Sequence, residues 1–142
     1  LMVHGRIRHT STHYPDNYGL IPRTYGNGWD PLDVLVLCSE SLAPLTLVRC
    51  YPIVVIHMLD NGKHDEKIIA IPFNDPAYNS YQDLGDLPPH TYQEMTHFFT
   101  VYKQLEDKKT VAEEVGDRQA AIEIIVAAQQ NYIDKFCTWY CD

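Results

Sequence analysis

The chain has 142 residues, of which 45% are hydrophobic and 21% charged, and its formal net charge is −8. That length and apolar content suit one domain with a core of its own and exclude a disordered chain. Eleven Lys and Arg against nineteen Asp and Glu also speak against a nucleic-acid binder, whose affinity rests on neutralising phosphates.

Other classes fall away on local grounds. No apolar run is long enough to span a bilayer and no signal-peptide pattern is visible, so no membrane partner is expected. Cys38, Cys50, Cys137 and Cys141 lack CxxC spacing and read as free thiols or small core residues, with a disulfide or soft-metal site as the alternative. Free thiols fit a cytoplasmic location. Leu1 is not a methionine, so an upstream segment is expected, and such a segment could carry an address to an organelle.

Taken in chain order, the first feature is Tyr14-Pro-Asp-Asn-Tyr18-Gly-Leu-Ile-Pro22, followed by Trp29-Asp30-Pro-Leu-Asp33 at the mouth of an apolar run. Two carboxylates so spaced suit a hard divalent cation, which prefers oxygen ligands. Alone, Asp30-Pro31 reads more readily as the start of a turn, with Asp33 a solvated strand end. Asp33–Cys38 is a compact apolar run, Leu45–Tyr51 alternates loosely, and Pro52–Met58 and Lys67–Ile71 are β-branched, so all four read as strands. Asp60-Asn-Gly62 is a turn signal, after which Asp65 and Lys67, two residues apart, share a strand face. Short strands punctuated by Pro and Gly suggest a small barrel.

Phe73–Pro89 reads as a long connection. Thr91, Met95, Phe98, Phe99, Tyr102 and Leu105 recur at helical spacing, with Glu94 completing a capping box. A second helix is expected from Asp117, through Ala120, Ala121, Ile124, Ile125 and Ala128, to about Cys137. Tyr102 falls on the apolar stripe of its helix and Lys103 at the stripe's edge, which also suits a core tyrosine beside a solvated lysine.

Five stations in one register resemble the soluble family I inorganic pyrophosphatases. They are Tyr14-Pro-x-Asn-Tyr18-Gly-x-Ile-Pro22 with Asp30-Pro-Leu-Asp33-Val-Leu-Val, Met58-x-Asp60, Asp65-x-Lys67-Ile-Ile-Ala, Leu87-Pro-Pro-His and His97-Phe-Phe-x-x-Tyr102-Lys103. The resemblance implies a pyrophosphatase domain over 1–142, α+β but mainly β: a five-stranded OB-like closed barrel with two flanking C-terminal helices. It implies a homo-oligomer, and hydrolysis of inorganic pyrophosphate to two orthophosphates by attack of a metal-bound water. The cofactor would be several Mg2+ ions, with Mn2+ or Zn2+ as substitutes. Asp33, Asp60 and Asp65 would be metal ligands and Asp30 the base. Arg6, Lys67, Tyr102 and Lys103 would hold the phosphates, and Tyr18 would line the pocket and support Asp30.

Two departures stand against the family pattern. Its Asp-x-Asp-Pro-x-Asp signature reads Gly28-Trp29-Asp30-Pro31-Leu32-Asp33 here, so the first carboxylate is a glycine. Weaker metal binding follows, with a catalytically weakened or inactive binding module, or a hydrolase of short polyphosphates with altered metal preference, as alternatives. The family's upstream strands, which supply a lysine and acidic groups, are also expected to be missing, because the chain starts just before Arg6.

Overall fold

The structure is a computed structural model that describes residues 2–5, 17–26, 30–91, 93–97 and 110–137, with side chains left undescribed at 2–5 and 110–113. Six strands form one sheet: β1 (Met2–Gly5), β2 (Asn17–Leu20), β3 (Asp33–Val36), β4 (Leu47–Asp60), β5 (Lys63–Pro72) and β6 (Thr110–Gly116). The spatial order is β1-β2-β3-β5-β4-β6. All neighbours are antiparallel except β3 and β5, which run parallel with Asp33 opposite Lys67.

The five-stranded closed barrel expected from the sequence needs correction. The sheet has six strands, and β6 stays outside as an edge strand, so the sheet as a whole is not closed. β1 also pairs with β4, Met2–His4 lying against Leu47–Arg49, which curls the sheet round toward itself. The sequence gives no sign of β6. Its run Thr-Val-Ala-Glu-Glu-Val-Gly carries two adjacent glutamates and becomes a strand by pairing with the far half of β4.

The two runs read as separate strands on either side of Pro52 are one 14-residue strand. Proline has no N–H for a ladder, so a strand carries it where pairing is already irregular. The β4–β5 register shifts between Pro52 and Val54, a bulge that absorbs it. At the other end of β4 the Asn61-Gly62 turn behaves as expected. Asn61 (φ 52°) and Gly62 (φ 80°) are both left-handed, the geometry that matches the twist of a two-residue hairpin.

Strand alternation sorts side chains onto two faces. Leu35, Ile56, Met58, Ile69 and Ile71 fill the inner face, with Leu87 and Met95 packed on it. Val34, Val36, Val55, Ile68 and Ala70 fill the outer face, covered by the helix Arg118–Phe136 through Ala121, Ile125 and Ala128. Each large aliphatic side chain so buried contributes about 1.5–3 kcal/mol. The helix begins and ends where the sequence places it. Asp117 caps it by accepting from the Ala120 N–H at 3.0 Å, and Cys137 closes it. Gly116 permits the close approach, since a Cβ there would lie 2.8 Å from Val55 Cγ1. Of the other expected helix, residues 89–91 and 93–97 are helical.

Cys38 and Cys50 are free thiols, as read from their spacing. Burial pushes the Cys50 thiol up to about 12, which leaves it inert near neutrality.

Asp75 is the buried acid that pins the loop after β3 to the turn after β5. It accepts from the Ser39 N–H at 2.7 Å, the Ser39 hydroxyl and the Ala77 N–H at 3.0 Å. These bonds, the Ser39 amide first, hold its carboxyl below the ordinary 3.8. A depressed folded pKa gives stability that is complete above 3.8 and drains away as pH falls through the lower folded value. The expected result is that Asp75→Asn lowers the urea midpoint at pH 7 and flattens the wild type's loss of stability below 3.8. Parallel acid limbs for the two proteins would show that Asp75 has no such part.

Candidate active site

The site follows from strand parity. Asp33 lies two residues before Leu35, Asp60 two after Met58, and Asp65 and Lys67 precede Ile69. Those neighbours belong to the inner core, so all four charged residues fall on the inner face at one end of the sheet. Direct pairing strengthens the placement: Asp33 lies opposite Lys67, Ile56 opposite Lys67, and Met58 opposite Asp65. Tyr18, opposite Leu35 in β2, is buried in the same core.

Lys67 is the centre of the cluster. Its side chain is only 2% exposed and its ammonium bridges Asp33 Oδ2 and Asp65 Oδ1, the latter at 3.1 Å. A lysine is seldom buried without ionised partners, because desolvating its charge costs several kcal/mol. The two carboxylates keep 30% and 24% of their exposure, so they face both Lys67 and solvent. Asp60 is half-buried at the hairpin end of β4, with its Oδ1 enclosed.

The structure thus joins Asp33, Asp65 and Lys67 in direct contact and puts Asp60 and Tyr18 on the same face. Asp30 is exposed in the loop before β3, where its backbone carbonyl accepts from the Gly26 N–H at 2.8 Å. Arg6, Tyr102 and Lys103 lie outside the described residues, as do Gly28 and Trp29. Sequence reasoning missed Thr24, whose buried hydroxyl lies beneath this loop. No spacing signal marks it, because its partners Ile21 and Leu32 are backbone groups.

The donor chemistry fits a hard cation. Asp33, Asp60 and Asp65 offer only carboxylate oxygens, and the side chains of Asp33 and Asp65 are partly solvent-accessible. Among the described residues no three such groups converge into a ready-made metal cluster. Lys67 stands between Asp33 and Asp65 and offsets their mutual repulsion.

Acidic side chains and a buried lysine are thus gathered on the inner face of a curled, mainly β sheet. The sequence profile described as inorganic pyrophosphatase matches residues 1–133. The inorganic pyrophosphatase of Haloferax volcanii is 41% identical over 137 residues, covering 95% of this chain and 77% of that one. Soluble inorganic pyrophosphatase 2 of Chlamydomonas reinhardtii is 38% identical, covering 92% of this chain and 68% of that one. The solved structure of the Helicobacter pylori inorganic pyrophosphatase superposes with a TM-score of 0.81 at 34% identity, covering 89% of this chain and 76% of that one. The chain belongs to the inorganic pyrophosphatase family, and its mainly β fold is the OB-like fold of those structures.

Proposed function

We infer that the chain hydrolyses inorganic pyrophosphate to two orthophosphates, as an inorganic diphosphatase. The observation that carries this reading is the identity of about 40% with inorganic pyrophosphatases across nearly all of the chain. The Asp33–Lys67–Asp65 cluster supports it, since phosphoryl transfer asks a protein chiefly for positioning and charge neutralisation.

The roles divide by charge. Asp33, Asp60 and Asp65 would hold the metal, for which we propose Mg2+. When bound, such ions neutralise the pyrophosphate oxygens and lower the pKa of water. Asp30 takes a proton from the water that attacks one phosphorus, and its exposed carboxylate is open to that water. The new P–O bond forms as the bridging P–O bond breaks, and the bridging oxygen leaves with the second phosphate. Lys67, with Arg6, Tyr102 and Lys103, binds phosphate oxygens and offsets the charge of the leaving group. Tyr18 lines the pocket and supports Asp30.

Two further assignments complete the reading. Exposed Val126 and Ile133 on the C-terminal helix supply apolar surface for self-association into a homo-oligomer. The free thiols suit a reducing cytoplasm. Among the described residues no helix is long and apolar enough to cross a membrane.

The test is orthophosphate release from pyrophosphate by the purified chain, with magnesium, manganese or zinc, and with a chelator. Metal-dependent release of two orthophosphates per pyrophosphate is the expected result. No release under any of the three metals would replace this reading with a binding module lacking turnover. Faster release from tripolyphosphate would move the substrate to short polyphosphates.

A further inference from the structure

Beneath the Asp30–Asp33 turn the strand ladder is completed by a side chain. β2 and β3 pair as far as Leu20 opposite Asp33, so Ile21 and Leu32 come next. The Ile21 N–H donates to the Leu32 carbonyl at 2.9 Å, one half of an ordinary antiparallel exchange. The other half does not close directly. The Thr24 hydroxyl accepts from the Leu32 N–H at 3.0 Å and donates to the Ile21 carbonyl at 2.6 Å, standing as a bridge in the ladder.

Thr24 is held there firmly. It is 2% exposed and follows Pro22 and Arg23, the latter at φ 58°, a left-handed backbone that a non-glycine residue adopts only when its surroundings enforce it. Pro22 followed by a left-handed residue is the pattern of a tight turn, which brings Thr24 back over the ladder. Next in sequence, Tyr25 donates its N–H to the Ala128 carbonyl at 2.9 Å, and its own carbonyl accepts from Asn131 Nδ2 at 3.2 Å. Gly26 then bonds the Asp30 carbonyl at 2.8 Å. The loop bearing the two carboxylates is therefore anchored on one side to the C-terminal helix and on the other to β2.

We propose that Thr24 is a positioning residue: by bridging Ile21 and Leu32 its hydroxyl ends the β2–β3 ladder and sets where the Asp30 and Asp33 carboxylates stand. This rests on the roles given above to Asp30 and Asp33. The Thr24 hydroxyl is buried and bonded to Ile21 and Leu32, so it acts through the backbone. A bridge of one hydroxyl holds the two backbones farther apart than a direct N–H···O bond, so its loss lets the turn close toward β2 and carries Asp30 with it. Misplacement of a reacting group by about 1 Å costs on the order of 100-fold in rate.

The experiment compares Thr24→Val, which keeps the shape and loses both bonds, with Thr24→Ser, which keeps the hydroxyl. Thr24→Val is expected to lose roughly 10- to 100-fold in kcat with little change in KM, while Thr24→Ser stays close to wild type. Amide exchange at Leu32 in the metal-free chain is expected to speed up in Thr24→Val and to return to the wild-type rate in Thr24→Ser. A folded Thr24→Val with wild-type kcat overturns the proposal while leaving pyrophosphate hydrolysis standing. A wild-type chain without turnover overturns hydrolysis, and the positioning role with it. Where Thr24→Val does not fold, Thr24→Ser decides: wild-type exchange and kcat support the bridge, and a loss of about 10-fold or more in kcat overturns it.

Discussion

Replacing Lys67 by methionine should cost about 100- to 1,000-fold in kcat, the usual effect of removing a group that stabilises charge developing in the transition state. It should also cost stability, though less than breaking a wholly buried ion pair, which runs to about 3–5 kcal/mol. Two opposing effects set the size. Methionine removes a charge that is almost completely desolvated, which favours the variant, and leaves Asp33 and Asp65 facing each other, which disfavours it. Both carboxylates retain access to water, so they rehydrate in part, and a net loss of roughly 1–2 kcal/mol is expected. Arginine should not rescue activity, because its planar fork is larger than the ammonium that fits between two carboxylates. The rate of orthophosphate release and the urea midpoint check the two parts separately. A Lys67→Met protein within threefold of wild-type kcat would remove Lys67 from the chemistry.

Asp30→Asn should separate rate from stability. Asparagine keeps the shape and cannot take a proton, so kcat should fall by about 100- to 10,000-fold, the range for a general base. Asp30 is exposed, and the bond that fixes its loop uses its backbone carbonyl, which the substitution leaves in place. The urea midpoint should therefore stay within experimental error, and KM should change little. Equal rates for Asp30→Asn and wild type would take the base role from Asp30. A large drop in midpoint would instead make it a structural residue.

What the sequence made legible was local. The Asn61-Gly62 hairpin, the Asp117 cap and the end of the last helix at Cys137 each depend on a few consecutive residues, and each stands where expected. Elements that depend on distant partners were harder to see. Pro52 looked like a boundary because a proline interrupts a ladder, yet the adjoining bulge lets β4 run through it. β6 has its identity from the edge of β4.

The site divides in the same way. The shared face of Asp65 and Lys67 follows from a spacing of two and needed no fold. The contact between Asp33 and Lys67 requires β3 to pair in parallel with β5, passing over β4 in the chain, which no local pattern announces. Sequence reasoning gave Lys67 to the phosphates and put Asp65 on its face, without pairing it to Asp33. The structure shows its ammonium balancing both Asp33 and Asp65. Thr24 was invisible for a different reason: a threonine two residues after Pro22 carries no chemical signature until both backbone groups it bridges are in place.

Carboxylates on the inner face, beside Lys67, are proposed to hold the metal with which this chain hydrolyses pyrophosphate. The deciding measurement is orthophosphate release by wild type and Asp65→Asn against magnesium at fixed pyrophosphate. Asparagine keeps one oxygen donor and loses the charge, so half-saturation should move to about 10-fold or more higher magnesium, by analogy with the 10- to 100-fold losses seen when groups at a metal site are altered. Superimposable magnesium curves for the two proteins, or wild-type turnover that persists in chelator, would show that these carboxylates do not hold the metal.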